Sequence, residues 1–173
     1  MQRQVKEILP IVAGLDPGSK KAAIAIVDGK ARILKIYGFS SRKRVEVRKK
    51  EFWNFVRNTL AESKPNFVFI EKPYVYFNSS SALLLAQFIG IAEAVCIELG
   101  ISYTEIAASR VKKMSVGGRV SKELSHILMK QMYPELESAS FDEIDAVAVA
   151  LAGLNVLKEN DLANRYFKVG SFT

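Results

Sequence analysis

Apolar residues fall in short blocks over the first forty positions and at helical spacing afterwards. Ile11–Leu15 is an apolar run that stops at Asp16, where Pro17-Gly18 turns the chain. Ala22–Val27 and Ala31–Phe39 flank Asp28-Gly29, a dipeptide expected to supply the positive backbone torsions of a tight hairpin turn. Three consecutive antiparallel strands are therefore predicted. Ser40–Lys50 reads as a basic connector, and Glu51–Ser63 as a helix with Phe52, Phe55, Val56, Thr59 and Leu60 at helical spacing. After the break at Pro65-Asn66, Phe67–Ile70 is apolar throughout, as in a central strand covered on both faces. Lys72–Ser80 is then a loop, Ser81–Leu99 a helix ended by Gly100, and Ile101–Glu105 a short strand. Helices follow over Ala107–Ser115, Ser121–Met132 and Phe141–Leu157, with a glycine-containing loop at Val116–Val120 and a stop at Pro134. The order βββ-α-β-α-β-α-α-α predicts an α/β domain, with a mixed five-stranded sheet flanked by helices. One domain is expected over residues 1–157, with 1–10 as an N-terminal extension and 158–173 as a tail.

Composition narrows the partner. The chain has 173 residues, a net charge of +7 and 49% hydrophobic residues. A basic domain with enough apolar content for a core suits a polyanion, either nucleic acid or an anionic membrane surface. Ser81–Ile101 is the most apolar stretch but carries Gln87, Glu93 and Glu98. A charge at mid-bilayer costs about 2.5–3.5 kcal/mol, so the stretch reads as a buried helix and no membrane partner is expected. The lone Cys96 forms neither an intrachain disulfide nor a zinc site, and Met1–Pro10 has no apolar signal core. A reducing, cytoplasmic setting is expected.

Four acids stand out against the apolar pattern. Asp16 and Glu71 each end a strand-like run, while Asp142 and Asp145 open an apolar helix. The last two are three apart and share a helical face. Glu143 has a separate use, since Ser140-Phe141-Asp142-Glu143 fits a capping box. Asp142 and Asp145 also suit a helix dipole, and Asp16-Pro17-Gly18 suits an ordinary turn. Glu71 is more telling, because four large apolar residues precede it and an unpaired buried carboxylate is costly. Oxygen-rich clusters favour Mg²⁺ or Mn²⁺ over zinc, and two such ions would serve phosphodiester hydrolysis.

At these residues the chain resembles the RuvC-type Holliday junction resolvases. The matched pieces are Gly14-Leu15-Asp16-Pro17-Gly18-Ser19, Ile70-Glu71 with the aromatic loop after it, Asn78 to Gly90, Val111-Lys112 with Gly117 to Lys122, and Asp142 to Ala150. The resemblance implies a ribonuclease H-like fold, a homodimer, and Mg²⁺-dependent paired nicking of four-way DNA junctions. It maps the metal-binding acids onto Asp16, Glu71, Asp142 and Asp145, with two ions per site and Mn²⁺ able to substitute. It makes Lys122 the lysine acting at the scissile phosphate, Lys112 a DNA grip, and Tyr74 the aromatic wedge at the junction centre. Three departures are visible: a longer N-terminal segment, Lys72-Pro73-Tyr74 in place of a glutamine-containing loop, and a Lys112-to-Lys122 stretch one residue short. They make the chain more like a bacteriophage member than a bacterial one.

Further DNA contacts are expected from Ser19 beside the metals and from the acid-free run Arg110, Lys112, Lys113, Arg119 and Lys122. Arg42, Lys43, Arg44, Arg48, Lys49 and Lys50 form a second basic cluster. Tyr76 and Phe77 accompany Tyr74, and one of them is expected to fold back on the core. His126, the sole histidine, is flanked by Leu124, Ile127 and Leu128 and reads as a packing or surface residue rather than an acid/base group or metal neighbour. Rival readings are a junction-binding module without catalysis and a nuclease of RNA–DNA hybrids. An actin-like phosphate loop at Asp16 would need a second domain that 173 residues do not hold.

Overall fold

The computed structural model describes residues 10–72, 80–118 and 120–167. Its sheet consists of β1 (Ile11–Asp16), β2 (Lys21–Asp28), β3 (Ile33–Ser40), β4 (Phe67–Lys72) and β5 (Ser102–Ala107). The strand order is β3-β2-β1-β4-β5. β1, β2 and β3 pair antiparallel in succession, whereas β1–β4 and β4–β5 are parallel. The mixed five-stranded sheet expected from the sequence is the one observed.

Period-two alternation splits the core into two layers. On one side Ala13 and Leu15 of β1, Ala22, Ile24 and Ile26 of β2, and Val68 and Ile70 of β4 meet α1 (Val45–Ser63) and α2 (Ser80–Leu99). On the other side Val12, Ala23, Ala25, Val27 and Phe69 meet α3 (Ala108–Val116), α4 (Lys122–Met132) and α5 (Phe141–Phe167). α5 is buried through nearly all of Ile144–Leu154 and is the main helix on that face.

α5 lies very close to the sheet. A β-carbon at Gly14 of β1 would overlap the backbone of Ala146 and Ala150, and one at Gly153 would overlap the Phe69 ring of β4. Glycine and alanine at these contacts let one helix rest on two neighbouring strands. The expected capping box is present: Glu143 accepts from the Ser140 N–H at 2.7 Å, and the Ser140 hydroxyl accepts from the Glu143 N–H at 3.4 Å.

Several elements differ from the sequence reading. The basic connector is short, because α1 begins at Val45 and takes in Arg48, Lys49 and Lys50. Lys, Arg and Glu are good helix formers, and buried Arg48 extends the inner stripe of Phe52, Val56, Thr59 and Leu60 by one turn. The expected 158–173 tail is helical as far as Phe167, since no proline or glycine interrupts the chain from Leu154 to Lys168. Ala31, not Gly29, carries the positive φ of the hairpin, at 62°. There the Asp28 carboxylate accepts the Lys30 and Arg32 N–H groups, both at 3.0 Å, and so organises the turn through its side chain. Gly100 does end α2 with φ 66°.

α2 is not enclosed as expected. It is long and apolar enough, by length and composition, to cross a membrane, yet only Phe88, Ile89, Ala92, Val95 and Cys96 are buried. Leu83 and Ile97 are 63% and 68% exposed, on one side of the helix with exposed Gly90 and Ala94. The apolar surplus of this helix therefore faces outward.

Two glycines test the packing. Gly14→Ala is expected to lower the unfolding free energy by roughly 3 kcal/mol, the upper end of overpacking costs, because backbone atoms cannot yield. Gly90→Ala, with nothing within 4 Å of the added carbon, should instead raise it by about 0.5–1 kcal/mol. Urea unfolding of both variants checks this; equal stabilities would refute the tight contact between β1 and α5.

Candidate active site

The parallel pairing of β1 with β4 places Leu15 opposite Ile70, so Asp16 and Glu71 leave adjacent strands at the same end of the sheet. Neighbouring strands are about 4.8 Å apart, which brings the two side chains side by side. Asp16 lies within hydrogen-bonding reach of Glu71. α5 starts over this end and brings Asp142 and Asp145 to the field felt by Asp16. The four acids singled out from the sequence thus form one electrostatic cluster.

The cluster is under strong electrostatic tension. Burial, followed by the charges of Glu71, Asp145 and Asp142, pushes the Asp16 pKa up to about 8. Burial and the Asp145 charge also raise Glu71. Lys122, the first residue of α4, answers part of this charge: its Nζ donates to Asp145 Oδ2 at 2.7 Å. Burial works against the Lys122 ammonium, but the Asp145 hydrogen bond and the charges of Asp145, Asp16 and Glu71 outweigh it and raise its pKa. α4 is set in place by Ser121, whose hydroxyl accepts the Leu124 N–H at 3.2 Å.

A cavity of about 190 Å³ opens beside the acids, lined by Glu71, Val111, Lys112, Ser115, Lys122 and Asp145 among others. Lys112 thereby joins the cluster. Arg110 and Lys113, on the same helix, do not: they line a separate cleft of about 780 Å³ with Gly117 and Gly118. Arg110 also lies 3.6 Å from Glu159. The run read as one basic cluster is therefore divided by the turn of α3, Lys112 facing the acids and its neighbours facing away. Ser19 is half-buried in the turn after β1. The Ser41 N–H donates to Lys20 O at 2.9 Å, which ties the start of the Arg42–Arg44 segment to that same turn. Tyr74, Tyr76, Phe77 and Arg119 lie outside the described residues.

His126 packs, as its apolar neighbours suggest, and it also reaches an acid that the sequence did not pair it with. Its Nε2 sits 2.8 Å from Asp145 Oδ1, and its ring is buried and stacked on Phe141, centroids 4.7 Å apart. The signal was present: Lys122 and His126 are four apart on one helix and must share a face.

The donor set suits a hard cation, being all carboxylate oxygen. Among the described residues, no three Asp, Glu, His or Cys side chains converge tightly enough in this arrangement to ring one ion. Within this arrangement the Lys122 ammonium is the cation beside the acids, and its charge offsets part of the rise at Asp16.

A family model described as crossover junction endodeoxyribonuclease RuvC matches residues 12–153. A RuvC from Citrifermentans bemidjiense is 30% identical to this chain, covering 87% of it and 98% of that relative. The solved Thermus thermophilus RuvC aligns with a TM-score of 0.72 at 19% identity, over 86% of this chain and 96% of the other. The same protein in complex with Holliday junction substrate also gives 0.72, at 20% identity over 83% and 91%.

The Asp16 shift has a stability consequence of definite sign. The folded chain holds this proton up to about pH 8, while an unfolded chain releases it near 3.8. Between these values the folded state binds more protons, so stability falls as pH rises. Without divalent cations, urea unfolding should show decreasing stability from pH 4 to 8, and Asp16→Asn should flatten that slope. A slope unchanged by the substitution would refute the assignment.

Proposed function

The chain belongs to the RuvC family of crossover junction endodeoxyribonucleases, and we propose that it resolves four-way DNA junctions by hydrolysing two symmetrically placed phosphodiester bonds. The observation that carries this reading is the desolvated Asp16 carboxyl facing Glu71, Asp145 and Asp142, with Lys122 as the compensating cation. Asp16, Glu71, Asp142 and Asp145 would hold two Mg²⁺ ions, with Mn²⁺ an acceptable substitute. When bound, such ions lower the pKa of a water nucleophile and stabilise the leaving oxygen. In the hydrolysis a water oxygen bonds to phosphorus and gives up a proton, the opposite P–O bond breaks, and the departing oxygen takes up a proton.

The protein's own groups have separable tasks in this proposal. Lys122 leaves Asp145 for a non-bridging oxygen of the scissile phosphate, where its ammonium offsets charge that grows as the reaction proceeds. Lys112, beside Glu71 in the small cavity, anchors a neighbouring phosphate. Arg110 and Lys113 hold a more distant part of the junction, Arg119 is a further DNA contact, and Ser19 touches the backbone next to Asp16. Tyr74 stacks on an unpaired base at the crossover, worth about 1–3 kcal/mol per base.

Two cuts related by symmetry call for two copies of the site, and a homodimer supplies them. The exposed side of α2, with Leu83, Gly90, Ala94 and Ile97, fits a helix-to-helix interface whose small residues allow close approach. Buried Cys96 on the same helix is free, which suits a reducing cytoplasmic compartment.

Purified protein with Mg²⁺ should nick a four-way junction at two symmetric positions, and spare linear duplex and RNA–DNA hybrid. Asp145→Asn should bind the junction yet cut at least about a hundred-fold more slowly, the loss of several kcal/mol of charge stabilisation. Unimpaired cutting by that variant, or preference for the hybrid, would refute the assignment. For the dimer, Leu83→Glu with Ile97→Glu should halve the mass seen by light scattering at micromolar concentration. A wild-type monomer would dismiss that interface.

A further inference from the structure

Asp145 is held at both oxygens, by groups of very different freedom. Lys122 Nζ meets Oδ2 at 2.7 Å from a side chain that is 59% exposed, whereas His126 Nε2 meets Oδ1 at 2.8 Å from one that is 6% exposed. The lysine can swing out at little cost, since most of its length is in water. The imidazole cannot. Its ring lies nearly parallel to Phe141, at 17°, and that residue is the first of α5, the helix that carries Asp145. Both His126 and Lys122 belong to α4, so one short helix presents a fixed donor and a movable one to the same carboxylate.

We propose that His126 is a positioning residue for Asp145, fixing the carboxylate so that Oδ2 is the oxygen offered to a divalent cation. This rests on the metal-site reading above. For an ionised Asp145 to accept, Nε2 carries the hydrogen. With Oδ1 occupied by that donor, rotation of the carboxylate about its own axis would break a part-buried hydrogen bond and leave the buried imidazole without its partner, which costs stability. Asp145 then presents one oxygen in one direction, and departure of Lys122 is all that is needed to free it. Outer-shell partners of this kind commonly set metal affinity by about 10–100-fold. No proton transfer by His126 is involved.

The test measures Mn²⁺ uptake by electron paramagnetic resonance on the full chain without DNA, alongside junction cleavage against Mg²⁺ concentration. His126→Met keeps the bulk and removes the donor; His126→Gln keeps an N–H where Nε2 stands. The Met variant should weaken Mn²⁺ binding by about 10–100-fold and raise the Mg²⁺ needed for half-maximal cleavage in parallel, with the rate at saturating Mg²⁺ little changed. The Gln variant should recover most of both. Wild-type Mn²⁺ affinity in the Met variant, or a Gln variant as weak as the Met variant, overturns the proposal while leaving the metal site standing. Wild-type protein that takes up no Mn²⁺ overturns both. Should the Met variant not fold, Phe141→Ala, at a residue 66% exposed, removes the ring clamp alone. It is expected to weaken Mn²⁺ several-fold, and unchanged uptake there overturns the proposal too.

Discussion

The contact between β1 and α5 at Gly14 is the constraint on which the site depends. A side chain there would collide with the α5 backbone at Ala146 and Ala150. Without one, the helix settles directly on the strand. Two residues further along β1 is Asp16, and one residue before Ala146 is Asp145. The same close approach that fills the core therefore sets how near the two carboxyl groups come. Packing at Gly153 against Phe69 repeats the arrangement on β4, the strand that ends in Glu71. Close packing in a protein interior tolerates little adjustment, so the distance is fixed by shape rather than by attraction.

Attraction could not have fixed it, because the acids repel. Burial and like charge hold a proton on Asp16 well above the ordinary carboxylate range. The protein relieves this locally with Lys122 and His126 on Asp145, both from α4. Among the described residues these are the two close contacts that basic side chains make with the acid cluster, and neither touches Asp16. A helix bundle or sheet that gained nothing from such crowding would be more stable with apolar groups in these places. The function proposed above gives the crowding a use: the same charge that strains the fold would be what draws in a divalent cation.

Much of this was legible in the sequence, for identifiable reasons. Strands showed because apolar blocks of β1, β2 and β4 end at Asp16, Asp28 and Glu71. The final helix showed because its capping box is local, Ser140 with Glu143. The acids showed because Glu71 follows four apolar residues and so could not be ordinary surface. What was missed depended on distance in three dimensions or on the amphiphilic nature of long side chains. Arg48 looked like solvent-facing charge, yet its stem continues the buried stripe of α1. The reach of α5 to Phe167 was hidden because charged residues past Leu157 look like a tail while favouring helix. The turn at Asp28 was sited correctly, but its torsion fell on Ala31 because the carboxylate, not Gly29, directs the chain. His126 looked like packing, and it does pack, against Phe141; its partner Asp145 lies on another helix.

The parallel pairing of β1 and β4 has a consequence for how such a protein can vary. Asp16 and Glu71 are far apart along the chain, with two hairpin strands and a nineteen-residue helix between them. Their separation in space is nevertheless one interstrand spacing, a dimension dictated by peptide hydrogen bonds and indifferent to what the intervening segment contains. The excursion through β2, β3 and α1 can lengthen, shorten or change its loops without altering the gauge of the chemistry, provided it returns to the same register beside β1. A lineage could thus remodel one flank of the molecule, and with it the surface offered to nucleic acid, while its cutting centre stayed to scale.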